Sequence, residues 1–356
     1  MSVLALLRVA VLMGAAVTAK AATVVYVANA DSREISVLSL DPASGELTPI
    51  ETVAVGGVVM PMVVSPDKRI LYAAMRSQPC RVASFAIDAT SGRLKKLGES
   101  ALADSMANID LDRSGRWLFA ASYGGNKITV NAIDKDGQVG AVQQLILTQP
   151  NAHAIHADAA NRHVWATSLG GDNISSWRFD AATGMLSPNE RPLTATAPKS
   201  GPRHFVWDAA QRRLYLLCEL DAALYVFDHN AAQGTLREVQ RTSALPPGFA
   251  GKPWAADLHL APDGSHLYAS ERTSSTITVY DVDAASGQLK TLAQVPTETT
   301  PRGFAIDPSG RYLIASGQES HAIAVHAIDK TSGALTALQR YPVGKNPNWV
   351  EIVDLP

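Results

Sequence analysis

One kind of residue recurs seven times along this chain at nearly constant spacing, and that period leaves few folds open. The positions are Tyr26, Tyr72, Phe119, Trp165, Tyr215, Tyr268 and Ile314, at intervals of 46, 47, 46, 50, 53 and 46 residues. Small residues usually follow, as in Tyr72-Ala73-Ala74, Phe119-Ala120-Ala121 and Tyr268-Ala269-Ser270. About 10–20 residues further on, each copy carries an alternating strand that ends in an acidic turn. Ile35–Leu40 runs into Asp41-Pro42-Ala43-Ser44-Gly45, and Ile277–Val282 into Asp283-Ala284-Ala285-Ser286-Gly287. Related turns sit at Asp88–Gly92, Asp134–Gly137, Asp180–Gly184, Asn230–Gly234 and Asp329–Gly333. Glycine supplies the positive φ and the Asp side chain closes the turn, so each turn joins two strands as a hairpin.

A repeat of about 48 residues then holds four short strands, lettered a to d, with the aromatic anchor on strand b. Strand-only repeats of this length build propellers. The expectation is an all-β, seven-bladed β-propeller with four strands per blade. The first copy opens directly on a strand b, Val24–Asn29, while Asn348–Val353 reads as a strand a with no blade of its own. The C-terminal strand is therefore expected to join the N-terminal blade and close the ring, which leaves only short, protected edges.

The charge balance excludes some functions. A net charge of -2 with no basic or acidic block argues against nucleic acid or a membrane surface as partner. Glycine and proline are spread among the turns, so residues 22–356 are expected to form one domain. Ahead of it, Val9–Val17 is an apolar run after Arg8, followed by Ala19-Lys20-Ala21, an A-x-A cleavage pattern. The run is short for a bilayer, so residues 1–21 read as a signal peptide. Apolar Val3–Leu7 stands where a basic segment is usual. The expected location is periplasmic, with no membrane association after cleavage, or cytoplasmic if the run is not a signal. Cys80 and Cys218 fall three blades apart, too far for a disulfide, and two free thiols are expected. A monomer is expected.

Aligning the repeats on their anchors gives columns. Met62, Ile109, Ile155, Phe205, Leu258, Phe304 and Val350 form an apolar column expected between blades. The alternate column, Val63, Asp110, His156, Val206, His259, Ala305 and Glu351, should line the central channel. At one mouth, the start of strand a collects His153, Arg203 and Arg302, and the next column His204 and Asp257. The end of strand b brings Arg76, Tyr123, Glu219, Arg272 and Gln318 to the same face, because antiparallel pairing sets the start of one strand beside the end of the other. Charge in a loop is commonly solvated; several charges meeting at one channel mouth suggest a ligand site. Arginines fit an anionic or oxygen-rich substrate, and Glu219 or His153 suits activation of a water. Residues at such a rim are expected to carry little packing. Asp257 lies in a different column from His259 and Glu351, and no metal or other cofactor is expected.

Several longer stretches carry a resemblance. They are Pro61-Met62-Val63-Val64-Ser65-Pro66-Asp67-Lys68-Arg69, Gly201-Pro202-Arg203-His204, Trp254-Ala255-Ala256-Asp257, Pro296-Thr297-Glu298-Thr299, Pro301-Arg302-Gly303-Phe304 and Tyr312-Leu313-Ile314-Ala315. Over about residues 23–353 the chain resembles the lactonase family with a seven-bladed β-propeller, of the bacterial 6-phosphogluconolactonase type, which also includes fungal carboxy-muconate cycloisomerases. The resemblance implies metal-free hydrolysis of a sugar δ-lactone. The cycloisomerase site of one His, two Arg and one Glu matches His153, Arg203, Glu219 and Arg272, which become the expected catalytic residues. Arg76, Tyr123, His204, Asp257, Arg302 and Gln318 are expected to bind the sugar lactone. Export favours unphosphorylated glucono-1,5-lactone over its 6-phosphate. Two other readings stay open, a non-catalytic propeller that binds a ligand or protein and a muconate-type cycloisomerase. The choice of base between Glu219 and His153 is also open.

Overall fold

In the computed structural model, which describes residues 22–356, the 28 strands form seven four-stranded antiparallel sheets. The expected signal segment 1–21 lies outside the described residues. Every anchor sits on a strand b and is at most 1% exposed. The propeller and its seven blades are as the repeat requires.

Blade 1 is assembled from both ends of the chain. Its order is Pro347–Asp354, Thr23–Asn29, Glu34–Leu40, Leu47–Ala54. Tyr26 stands opposite Glu351 and Val27 opposite Val350. Thr23 Oγ1 donates to Asp354 Oδ1 at 2.6 Å. Blades 2 to 7 follow in chain order, each starting at the centre with its strand a: Val59–Val64, Asn108–Leu111, Ala152–Ala157, Pro202–Trp207, Ala255–Leu260 and Pro301–Ile306. The apolar column from Met62 to Val350 is buried throughout, at no more than 5% exposure.

The acidic turns also join one blade to the next. All seven turn glycines have φ between +59° and +78°. Each packs on the residue two before the anchor of the preceding blade. A Cβ on Gly92 would lie 2.5 Å from Val24, and one on Gly45 would lie 2.6 Å from Tyr312 across the closure. Where the anchor is tyrosine, its hydroxyl can reach the same turn. Tyr26 Oη donates to Gly92 O at 2.8 Å, and Tyr215 and Tyr268 donate to Gly287 O and Gly333 O at 3.0 Å each. Burial of these rings is thereby compatible with their polar tips.

A feature absent from the sequence reading sits at the inner rim. In every blade but the third the a–b ladder shifts register near the start of strand a, in blade 5 between Pro202 and His204 and in blade 4 between Ala152 and Ile155. Such bulges re-aim side chains, and here they fall on His153, Arg203 and Arg302.

Gly92→Ala combines a strained φ with a clash against a blade neighbour, whereas Gly264, at φ +73°, has nothing within 4 Å of a Cβ. Urea unfolding is expected to show a loss of about 2–4 kcal/mol for Gly92→Ala and about 1 kcal/mol for Gly264→Ala.

Candidate active site

Glu219 follows strand b of blade 5, Arg213–Cys218. Its N–H donates to Gly201 O at 2.7 Å and closes the hairpin beside the bulge that carries Arg203. One carboxylate oxygen, Oε2, then takes two guanidinium donors, Arg203 Nε at 2.9 Å and Arg272 Nη2 at 2.8 Å. Arg272 comes from the same position in blade 6, just after strand b, His266–Glu271.

Backbone carbonyls of blade 6 fix both arginines. Arg203 Nη1 donates to Ala256 O. Arg272 Nε donates to Trp254 O at 2.9 Å and Nη2 to Ala255 O at 3.0 Å. Arg203 is 1% exposed. This corrects the expectation that rim residues carry little packing: the bulge turns Arg203 inward, and the next blade closes over it.

The electrostatics follow from this burial. Burial pushes the Glu219 carboxyl up, but Arg203 and Arg272 outweigh it and hold it below its ordinary value. Arg272 is pushed down to about 9 by burial and by Arg203, against the support of Glu219. Arg302 makes no hydrogen bond or ion pair among the described residues. Burial, and then Arg203, Arg272 and Arg76, all work against its charge. The cluster thus holds more positive charge than its one carboxylate balances.

His153 borders these cations at 4% exposure, edge-on to Tyr123 and to His204 with ring centroids at 6.1 and 5.0 Å. Burial first, then Arg203, His204, Arg302 and Arg272, hold its pKa well below the usual imidazole value. Its imidazole is therefore uncharged at neutral pH.

Below His153 lies a second histidine with a carboxylate. His204 Nδ1 is 2.7 Å from Asp257 Oδ1, and His259 Nε2 is 3.3 Å from Asp257 Oδ2. Burial and Arg203 push His204 down to about 4 against the pull of Asp257. Burial raises the Asp257 carboxyl, but His259 and His204 draw it well below the usual range. The channel beneath encloses about 280 Å³ and is lined by His156, His259, Trp349 and Glu351 among others. His156 pairs with Asp110 at 2.9 Å. Burial pushes Glu351 up to about 7 despite a 2.8 Å hydrogen bond from Trp349 Nε1.

The remaining expected residues divide. Tyr123 flanks His153. Arg76 is exposed, with Nε donating to Ser105 Oγ at 2.9 Å, yet its charge still reaches Arg302. Gln318 shares the rim position, but its amide is committed to Asn346 Oδ1 at 2.7 Å. Among the described residues no group of three or more His, Cys, Asp or Glu is placed to hold a metal ion. Cys80 and Cys218 are free and buried.

With this geometry in hand, comparison with known proteins decides the family. Residues 20–352 match the family described as lactonase, 7-bladed beta-propeller. The chain belongs to the seven-bladed β-propeller lactonases. It is 41% identical over 332 residues to a 6-phosphogluconolactonase of Pectobacterium carotovorum subsp. carotovorum (strain PC1), covering 93% of this chain and 99% of the relative. A 6-phosphogluconolactonase of Photorhabdus laumondii subsp. laumondii is likewise 41% identical with the same coverage. Among solved structures, the periplasmic gluconolactonase of Pseudomonas aeruginosa superposes with a TM-score of 0.89 at 29% identity, over 94% of this chain and 100% of that one.

In this lactonase-family propeller, column reading missed Trp254. The Arg272 guanidinium stacks 3.9 Å from its ring centroid. With Leu220, Lys252, Pro253 and Thr273 it forms a pocket beside Glu219. Its signal was available. Trp254 occupies in blade 6 the position that Gly201 holds in blade 5, since Arg272 N and Glu219 N donate to those two carbonyls. An exposed tryptophan where another blade has glycine would have stood out had the columns been extended two residues upstream.

Removing Glu219 leaves two buried guanidiniums without a counter-ion, a loss of about 3–5 kcal/mol by analogy with other broken buried pairs. The Glu219 carboxyl is depressed in the fold, so its contribution is fully present above the unfolded value and is lost as pH falls through the folded one. The stability gap between wild type and Glu219→Gln should be constant above about pH 5 and narrow below the ordinary value of 4.5. Urea titrations from pH 7 to pH 3 measure it.

Proposed function

We propose that the protein hydrolyses the ester of a sugar δ-lactone, with the Arg203–Glu219–Arg272 cluster, Arg302 and His153 as its working centre. The observation that carries this is Arg302, a guanidinium beside three other arginines and one carboxylate with no partner of its own. A site built this way awaits a substrate anion. The family, and relatives named for lactone hydrolysis, support the reaction class.

The roles follow from which donors are spoken for. Arg203 Nη2 and Arg272 Nη1 make no hydrogen bond among the described residues, while their other nitrogens are fixed to Glu219 and to backbone. These two unused donors suit the carbonyl oxygen as it becomes an oxyanion. Glu219 keeps the pair charged and oriented. Protonating it would weaken both ion pairs, so the water proton goes to His153. An anion on Arg302 cancels part of the field that keeps a proton off His153, so substrate docking itself strengthens the base.

The uncompensated cation favours the 6-phosphorylated lactone. The apolar run Val9–Val17 with Ala19-Lys20-Ala21 favours a second reading, an exported enzyme that acts on glucono-1,5-lactone. N-terminal sequencing of native protein would then find a start near Ala22.

Assaying both lactones separates the two. For the phosphorylated reading, Arg302→Met should lower kcat/KM on 6-phosphoglucono-δ-lactone by about 100-fold or more and on the unphosphorylated lactone by less than about tenfold. Glu219→Gln and Arg203→Ala should each lower kcat/KM on the preferred lactone by at least about 100-fold. A folded Glu219→Gln/Arg203→Ala double variant with near-normal turnover would place the chemistry elsewhere. The acidic limb of kcat/KM should lie well below pH 6.5 in wild type, set by His153, and move upward in Arg302→Met because a cation opposing protonation is gone.

A further inference from the structure

Two buried nitrogens in this cluster have no hydrogen-bond partner among the described residues, and they belong to neighbouring rings. They are Nδ1 of His153 and Nε2 of His204. The rings project from strand a of blades 4 and 5 with centroids 5.0 Å apart. Centroids at that spacing leave room for two ring nitrogens to meet at a normal hydrogen-bond length of about 2.9 Å. Buried polar atoms are nearly always paired, and one proton between these two satisfies both. His204 comes with its other nitrogen assigned. Nδ1 faces the Asp257 carboxylate at 2.7 Å, an acceptor only, so Nδ1 carries the hydrogen and Nε2 is bare.

We propose that Asp257 and His204 are positioning residues for His153. His204 Nε2 accepts Nδ1–H of His153, which fixes the tautomer that presents His153 Nε2 as the base, and Asp257 holds the positive charge shared by the two rings. The inference rests on His153 being the base in the lactone reaction above. Water oxygen bonds to the carbonyl carbon, the π pair moves onto the oxygen between the arginines, and the water proton passes to His153 Nε2. The charge spreads through Nδ1–H to His204, where Asp257 balances it. Collapse of the intermediate breaks the ring C–O bond, and the leaving alkoxide takes the proton back from His153 Nε2. The product is the open hydroxy acid, and His153 has returned to its resting tautomer.

Asp257 suits this task because it is held from all sides. Oδ1 accepts Leu258 N–H at 3.0 Å, and Oδ2 accepts Phe304 N–H at 3.4 Å as well as facing His259. Trp349 caps His204 with ring centroids 5.9 Å apart. The charged or titratable groups that face the three residues are Arg203, Arg272, Arg302 and Tyr123 around His153, Arg203 and His156 around His204, and His259, backed by Glu351, around Asp257.

The test joins kinetics to a measurement on the resting protein. His204→Asn and Asp257→Asn should each lower kcat by about 10²–10⁴-fold, as the loss of a residue that orients a catalytic imidazole does elsewhere, with KM changed by less than about threefold. Ring ¹⁵N shifts should show wild-type His153 protonated at Nδ1 and bare at Nε2, and should show that preference lost in His204→Asn. A wild-type His153 protonated at Nε2 overturns the proposal, as does a folded His204→Asn enzyme with kcat within about twofold of normal. Asp257→Asn also alters acceptors for two backbone N–H groups. If it fails to fold, His204→Asn, which touches neither, decides, and the wild-type shifts decide without any variant. If wild type opens neither lactone, the functional reading has failed, while the ring shifts still judge the pairing.

Discussion

Seven times around the ring a glycine of one blade sits where no side chain fits, against the residue two before the anchor of the blade behind it. The same glycine has the positive φ that its turn requires, so a local and a long-range constraint fall on one residue. This contact sets the phase of each blade relative to the last. The candidate site needs that phase. Glu219 belongs to blade 5, but its partner Arg272 and the carbonyls that steady both arginines belong to blade 6, while His153 and Arg302 come from blades 4 and 7. A small rotation between blades 5 and 6 would separate a carboxylate from one of its two guanidiniums.

The site is also an example of charge placed where burial alone would not favour it. Two arginines at 1% and 3% exposure share a single carboxylate oxygen, and a third has no ion pair among the described residues. The backbone makes this tolerable. Three carbonyls at the start of blade 6 take up guanidinium hydrogens. Arginine suits such a place because its donors are fixed in a plane and it gives up less hydration than lysine. The remaining positive field works against a proton on the neighbouring His153.

Much of this was legible in the sequence because a repeat is its own alignment. The anchors gave the blades, and the unmatched strands at either end gave the closure. Antiparallel pairing alone brought Arg203 beside Glu219, and blade-to-blade equivalence brought Arg272 and His153 to the same mouth. Three things were hidden, for distinct reasons. The bulges at the start of strand a depend on an offset in backbone hydrogen bonding, which leaves the side-chain pattern unchanged. The burial of Arg203 depends on carbonyls, which every residue carries and no sequence advertises. The His204–Asp257 contact joins two members of one visible column on neighbouring blades, but contact across blades is a matter of ring radius, which the repeat length does not fix.

Closure by Pro347–Asp354 has a consequence in time as well as in space. Its partner Thr23–Asn29 leaves the ribosome first of all the described strands, and at about 5–20 residues per second it waits for tens of seconds with an edge unpaired. An open edge is an invitation to wrong pairing. Trp349 and Glu351, which line the channel, arrive with the closing strand. During synthesis the molecule therefore passes through a ribbon of blades with no finished channel, and the blade, the ring and the channel wall are completed together in one late event.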